Sequence, residues 1–161
     1  MDLKGCFSHN SDDWATPEDI YNHFIEDLGC LDPCPLYSKV NTLTNIFLGS
    51  RLYINPPYSK IDSWVTFIEN NLSYNKIYGY ACHIFLLIPS RTDTKYFHKL
   101  MHLSCSIELY FIKGRLKFGN SKNSAPFPSV LIKLYNGDVG IKKTMFIDRD
   151  EVKYIEPSRK D

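Results

Sequence analysis

The sequence predicts an α/β fold in which a mixed sheet is covered by helices. Three observations carry that expectation. Ala81 to Ile88 is an almost continuous apolar run, the pattern of a central strand buried on both faces. Just upstream, Ile61, Val65, Ile68 and Leu72 recur at helical spacing. Downstream, the chain from Ile107 to Tyr135 reads as strands punctuated by Gly and Pro, so strands alternate with helices first and pair antiparallel later. With 161 residues the chain can form one domain with a substantial core, and 1–161 is read as that single domain.

The elements follow in order. Thr16-Pro17-Glu18-Asp19 is a helix start, with Thr16 as N-cap, Pro17 at the first helical position and acids in the first turn. Ile20, Phe24, Ile25 and Leu28 share a face, and Gly29 ends the helix. A very short strand ending at Asp32 follows. Residues 36–50 are polar and irregular, with one short element expected around Asn45–Leu48. A strand then runs into Asn55, and the next helix is capped by Asp62 or Ser63. After the apolar strand comes the loop Pro89–Asp93 and a helix through Met101. Ile107 to Phe118 is read as two strands around Lys113-Gly114, and Ser129–Tyr135 as another, followed by the turn signal Asn136-Gly137. One more strand and a frayed tail complete the chain.

Composition narrows the function classes. The longest apolar stretch, Ile84–Ile88, is too short to cross a membrane. Met1–Lys4 lacks the basic and apolar regions of a secretory leader, so an intracellular protein is expected. Five cysteines at irregular spacing then read as free thiols. Neither Cys30/Cys34 nor His98/His102 belongs to a four-ligand zinc pattern, and no metal is expected. Net charge is only +1, but it is unevenly spread: the first thirty residues are acidic, whereas Arg91, Lys95, Lys99, Lys113, Arg115, Lys117 and Lys122 outnumber Asp93 and Glu108 between 91 and 122. One basic face on a near-neutral protein suits local contact with phosphates.

The most informative stretch is Asn55-Pro56-Pro57-Tyr58, directly after the apolar Leu52-Tyr53-Ile54. Residues before proline are held extended, so Asn55 and Pro56 form a rigid strand end carrying an amide, free carbonyls and an aromatic ring. This is the equipment for methylating an exocyclic amine of a base. Such a nitrogen is a poor nucleophile because its lone pair is delocalised into the ring. If Asn55 Oδ1 and the Pro56 carbonyl each accept an amino hydrogen, the lone pair is freed, and Tyr58 can stack on a flipped-out base. An amide is no base at neutral pH, so catalysis would rest on positioning and oriented dipoles. The competing reading is a strand that ends in a Pro-Pro turn with a partly buried tyrosine.

Four further segments accompany it: Asp13-Trp14-Ala15-Thr16-Pro17, Leu31-Asp32-Pro33-Cys34, Ser90 to Phe97, and Lys113-Gly114-Arg115-Leu116-Lys117-Phe118 with Ser124-Ala125-Pro126-Phe127. In this order the chain resembles the phage-type DNA N6-adenine methyltransferase (Dam) family, over roughly residues 10–135. The resemblance implies a compact Rossmann-like S-adenosylmethionine-dependent methyltransferase fold, with a mixed sheet and a C-terminal antiparallel hairpin. It implies S-adenosylmethionine as donor and adenine N6 in double-stranded DNA as acceptor. Trp14, Thr16, Pro17, Asp32, Pro33 and Asn55 would hold the cofactor, and Asn55, Pro56, Pro57 and Tyr58 would form the catalytic tetrapeptide. Arg91, Lys95, Lys113, Arg115, Lys117 and Lys122 would meet DNA. A monomer or weak homodimer in the cytoplasm of a bacterial host, encoded by a phage or prophage, completes the picture.

The sequence also departs from that family. About twenty residues separate Asp32 from Asn55, fewer than two further βα units need. Thr44–Arg51 contains no carboxylate, so the acidic residue that commonly holds a ribose hydroxyl is unassigned. That absence motivates one alternative, a catalytically weakened protein that binds DNA and S-adenosylmethionine; cytosine-N4 methylation, which activates an exocyclic amine similarly, is the other.

Overall fold

The computed structural model describes residues 14–119, 121–137 and 140–158. Met1–Lys4, Asp2, Cys6, Asp12 and Asp13, which entered the charge, leader and motif readings, lie outside them. Five strands form one sheet in the order β1-β2-β4-β3-β5: β1 Arg51–Ile54, β2 His83–Pro89, β3 Ser106–Ile112, β4 Ser129–Tyr135 and β5 Lys142–Ile147. β1 and β2 are parallel, as are β3 and β5, while β4 runs antiparallel to both β2 and β3. Four strands therefore point one way and β4 alone points the other. Leu31 adds a single parallel bridge outside β1, its N–H donating to the Arg51 carbonyl and its carbonyl accepting from Tyr53 N–H. The predicted strand into Asp32 is reduced to this one residue. The architecture is α/β with a mixed sheet, compatible with a Rossmann-like arrangement.

Both faces are covered. On one, Leu52, Ile54, Ile84, Leu86 and Ile88 pack on α2 (Ile61–Tyr78) and α3 (Lys95–Met101), whose Ile61, Val65, Ile68 and Leu72 form the expected buried stripe. On the other, Tyr53, Phe85 and Leu87 pack on α1 (Glu18–Asn22), on its continuation as a wider π-turn His23–Asp27, and on a 3₁₀ helix at Arg149–Tyr154. A strand buried on both faces has no polar side to show, which is why β2 reads as an unbroken apolar run.

Several expectations change. The hairpin around Lys113-Gly114 does not form: Gly114 turns the chain, with φ +75°, but residues 113–128 then make a loop, not a partner for β3. The neighbours of β3 are β4 and β5, both distant in sequence. Asn136-Gly137 is likewise no hairpin turn, because β5 pairs with β3 and not with β4. Asn136 instead accepts from Cys82 N–H and donates to the Tyr80 carbonyl, and a Cβ on Gly137 would lie 2.2 Å from the Tyr135 ring. α2 begins at Ile61, entered through the 3₁₀ turn Tyr58–Lys60 rather than capped by Asp62 or Ser63.

The C-terminal segment through Ser158 is docked rather than frayed. Three side chains grip its carbonyls: His23 donates to Ile155, Lys133 to Glu156 and His83 to Ser158, at 2.8–2.9 Å. Arg149 forms a two-pronged pair with Asp19 of α1.

No element forms around Asn45–Leu48, yet that loop is fixed. Asn71 and Asn75, both 0% exposed and four apart on α2, act as its backbone partners. Asn71 accepts from Phe47 N–H and donates to the Asn45 carbonyl; Asn75 accepts from Gly49 N–H and donates to the Phe47 carbonyl. Buried amides replace the sheet or helix ladder that an irregular segment lacks. Among the described residues no helix is long and apolar enough to cross a membrane.

Candidate functional site

Because β1, β2 and β3 are parallel, their carboxyl ends share one edge of the sheet, where ligands of open α/β sheets bind. Asn55, Arg91 and Lys113 follow those three ends, and the 113–128 loop returns to the same edge, Ser90 N–H donating to the Pro128 carbonyl. Gly119 N–H donates to the Ala15 carbonyl and ties that loop to the segment before α1.

The strand period sets the chemistry at Asn55. Alternation places Tyr53 and Asn55 on the same face, and both meet Thr16. The Tyr53 hydroxyl is 2.8 Å from Thr16 Oγ1, while Asn55 Nδ2 donates to the Trp14 carbonyl and to Thr16 Oγ1. Thr16 therefore does not cap α1; Pro17 occupies that position without a side-chain bond. Two acceptors fix which end of the amide carries nitrogen. Asn55 Oδ1 faces the other way and is buried with no hydrogen-bond partner.

Next to it lies a half-open cavity of about 720 Å³, within the range of sites that enclose small molecules. Trp14, Thr16, Asp32, Pro33, Asn55 and Pro57 line it, so the structure brings together most of the residues expected to hold a cofactor. Pro17 and Pro56 are buried outside its wall. Tyr21, Tyr53, Lys60 and Trp64 also line it and were not singled out from the sequence. Helical spacing offered one signal, since Tyr21 stands four residues after Pro17 and faces the strand end. Asp32 is the one carboxylate in the wall, its Oδ1 accepting from Cys34 N–H and its Oδ2 from Tyr21 O–H.

Tyr58 does not line the cavity. Its ring lies near-parallel to Trp14 (centroids 6.4 Å, 18° between planes) and edge-on to Phe127 at 5.4 Å, and Trp14 is edge-on to Phe118 and Phe127. These rings form an aromatic wall beside Asn55. The Tyr58 hydroxyl, like Asn55 Oδ1, is buried without a partner. Arg91, Lys95, Lys113, Arg115, Lys117 and Lys122 are all exposed around this edge; Lys113 lies 4.0 Å from Asp148, and Arg115 donates to the Ala125 carbonyl. Cys30, Cys34, Cys82 and Cys105 are free thiols. Among the described residues no three His, Cys, Asp or Glu side chains gather as metal ligands.

Burial holds the Asp32 carboxyl above the ordinary carboxylate range, against the opposing hydrogen bonds from Cys34 and Tyr21. The same burial, with Asp32 beside it, pushes Tyr21 up to about 12. A carboxyl whose pKa is raised by folding stabilises the fold below its unfolded value and loses that contribution as the pH rises through the folded one. Ionised Asp32 is thus a net burden on the free protein at neutral pH. Asp32→Asn keeps an acceptor for Cys34 and is expected to raise the melting temperature by a few degrees at pH 7, an advantage that vanishes near pH 3. Thermal melts at the two pH values check this; a lower melting temperature at pH 7 would show the carboxylate to be stabilising. Compared with family models, with curated proteins and with solved structures, the chain finds no match.

Proposed function

We propose that this protein is an S-adenosylmethionine-dependent DNA methyltransferase acting on adenine N6. One observation carries the reading: a buried amide oxygen, Asn55 Oδ1, left without a partner while its own nitrogen is held by two acceptors. An unsatisfied buried acceptor is unfavourable in a free protein, and such groups concentrate where a ligand completes them. An exocyclic amino group supplies the missing donor.

The cavity fits the cofactor. The Asp32 carboxylate matches its ammonium, and Trp64 and Leu43 give apolar surface for the adenosyl group. Where an acidic ribose partner was expected, the wall offers Asn41, whose Oδ1 accepts from Leu43 N–H and leaves Nδ2 as donor. When bound, the cofactor supplies an electrophilic methyl. The chain does the rest by placement. Asn55 Oδ1 accepts one amino hydrogen and draws the nitrogen lone pair out of conjugation toward the methyl. The surplus amino proton passes to water, because the amide is no base. Trp14, Tyr58 and Phe127 offer aromatic surface to a flipped base. Arg91 and the lysines and arginine of the 113–128 loop reach the phosphates and fix orientation rather than sequence.

Incubating the protein with unmethylated DNA and labelled S-adenosylmethionine, then digesting the DNA to nucleosides, tests this. N6-methyladenine is the expected product. N4-methylcytosine would transfer the chemistry to cytosine, and cofactor binding without any labelled nucleoside would remove the activity.

A further inference from the structure

The irregular stretch between the Leu31 bridge and β1 is anchored over only half its length. Residues 45–49 are clamped to α2 by Asn71 and Asn75, whereas residues 36–42 line the cavity without such an anchor. Among the described residues, their hydrogen bonds reach no further than Pro33 and Asn45. Ser38 N–H donates to the Pro35 carbonyl, Val40 N–H to Ser38 Oγ, Thr42 Oγ1 to the Pro33 carbonyl and Asn45 N–H to the Thr42 carbonyl. The segment is held at its ends, by buried Pro33 and by Leu43, which packs against the core under α2. Leu36, Tyr37 and Val40 between them are 41%, 77% and 73% exposed, although all three line the cavity, so a bound molecule offers them apolar surface to bury. Tyr37 also has φ +61°, alone among the described non-glycine residues in adopting the left-handed region.

A bulky residue in that region is strained, and such strain ordinarily persists where close packing imposes it. A ring so exposed has no such packing. The gap to a second backbone arrangement is therefore small, and a ligand that touches the loop in only one arrangement shifts it. We propose that residues 36–40 form a lid, hinged at Tyr37, that closes over the occupied cavity and lays the Tyr37 ring against the planar purine of the donor. This rests on the methyl-donor reading above and adds to it a contact residue and a motion. The donor's purine is the partner because the acceptor base belongs with Asn55 and the aromatic wall of Trp14, Tyr58 and Phe127. Closure also shields the electrophilic methyl from water.

Limited trypsin digestion reads the motion, because Lys39 is exposed within the segment and Val40 follows it. In the whole protein without ligand, the Lys39–Val40 bond is expected to be cut early. Saturating S-adenosylmethionine should slow that cut about tenfold, as followed by mass spectrometry of the fragments. Calorimetric titration reads the ring. Asparagine tolerates a left-handed backbone, so Tyr37→Asn should melt no lower than wild type. It should nevertheless bind S-adenosylmethionine and 5′-methylthioadenosine, which keeps the purine but lacks the amino-acid end, about tenfold more weakly, the effect of one lost base–aromatic stack. Tyr37→Phe keeps wild-type affinity. A Lys39–Val40 bond that resists trypsin in the free protein overturns the proposal, as does cleavage that bound donor does not slow. A Tyr37→Asn protein with wild-type affinity for both ligands also overturns it. Protection by DNA alone, with none from the donor, would assign the lid to the acceptor and overturn it too. Failure of the underlying methyl-donor reading looks different: wild type would bind neither ligand.

Discussion

Asn55→Ala is expected to lower the rate of methyl transfer by about 10²- to 10³-fold, the usual loss when one preorganised polar group at a reacting centre is removed. The fold should survive. The deleted side chain donates to the Trp14 carbonyl and Thr16 Oγ1, which lie at the cavity wall where water can replace it, so the stability loss is about 1 kcal/mol. Asn55→Asp makes the sharper comparison. It keeps an acceptor in place but removes the donor and sets a carboxylate oxygen against the Trp14 carbonyl. That variant should be inactive and less stable than the alanine variant. A tritiated-methyl assay beside circular dichroism and thermal melts separates the outcomes. An alanine variant with wild-type rate would remove Asn55 from the reaction.

Glu108→Ala should cause the largest loss of stability, about 3–5 kcal/mol, because it strands a buried ammonium. Lys133, 7% exposed at the centre of the sheet, is 2.8 Å from Glu108 Oε2 across the β3–β4 pair. Its other partner is the Glu156 carbonyl, and Tyr110 O–H also donates to Glu108. Without the carboxylate, Lys133 keeps one neutral partner. Urea titration measures the effect, and a loss under about 1 kcal/mol would mean that water already solvates the pair. The double variant Glu108→Leu/Lys133→Met should recover much of the loss, since two apolar groups leave no charge uncompensated. Burial works to raise the Glu108 carboxyl, but Lys133 outweighs it and holds the group below its usual range. The pair therefore stabilises the protein above the unfolded carboxyl value of about 4.3, and this contribution is lost as the pH falls through the lower folded value.

Local patterns made the elements legible where each element's environment is uniform. β2 was readable because both its faces are apolar, and α2 because its stripe is regular. The hairpin at Gly114 is not formed because the turn is real but the pairing is not: β3 finds its partners 19 or more residues away, and nothing local encodes that. The clamp on residues 45–49 was missed because asparagines are ordinarily read as solvent-facing. Their spacing on α2, in register with Ile68 and Leu72, was the available signal. At the site, Asn55, Asp32 and Trp14 were legible as residue types placed at strand and helix ends. Thr16 was read as a helix cap, since its use by Tyr53 and Asn55 depends on the facing of a strand almost 40 residues away. The packing of the Tyr58 ring with Trp14 and Phe127 was not legible, because those partners lie more than 40 residues away on either side.

The position of β4 also dictates an order of assembly. Among the described strands β3 pairs with β4 and β5, and both emerge from the ribosome after it. Until Ser129–Tyr135 have been synthesised, β3 has no sheet to join, and the 113–128 loop has no anchored end at Pro128. The rings of Phe118 and Phe127 that wall in Trp14 and Tyr58 come with that loop. The nascent chain thus carries its Asn-Pro-Pro-Tyr segment early but completes the surroundings last, through pairings of long sequence separation that close slowly. The complete wall around Asn55 should appear together with, and never before, the insertion of the one reversed strand.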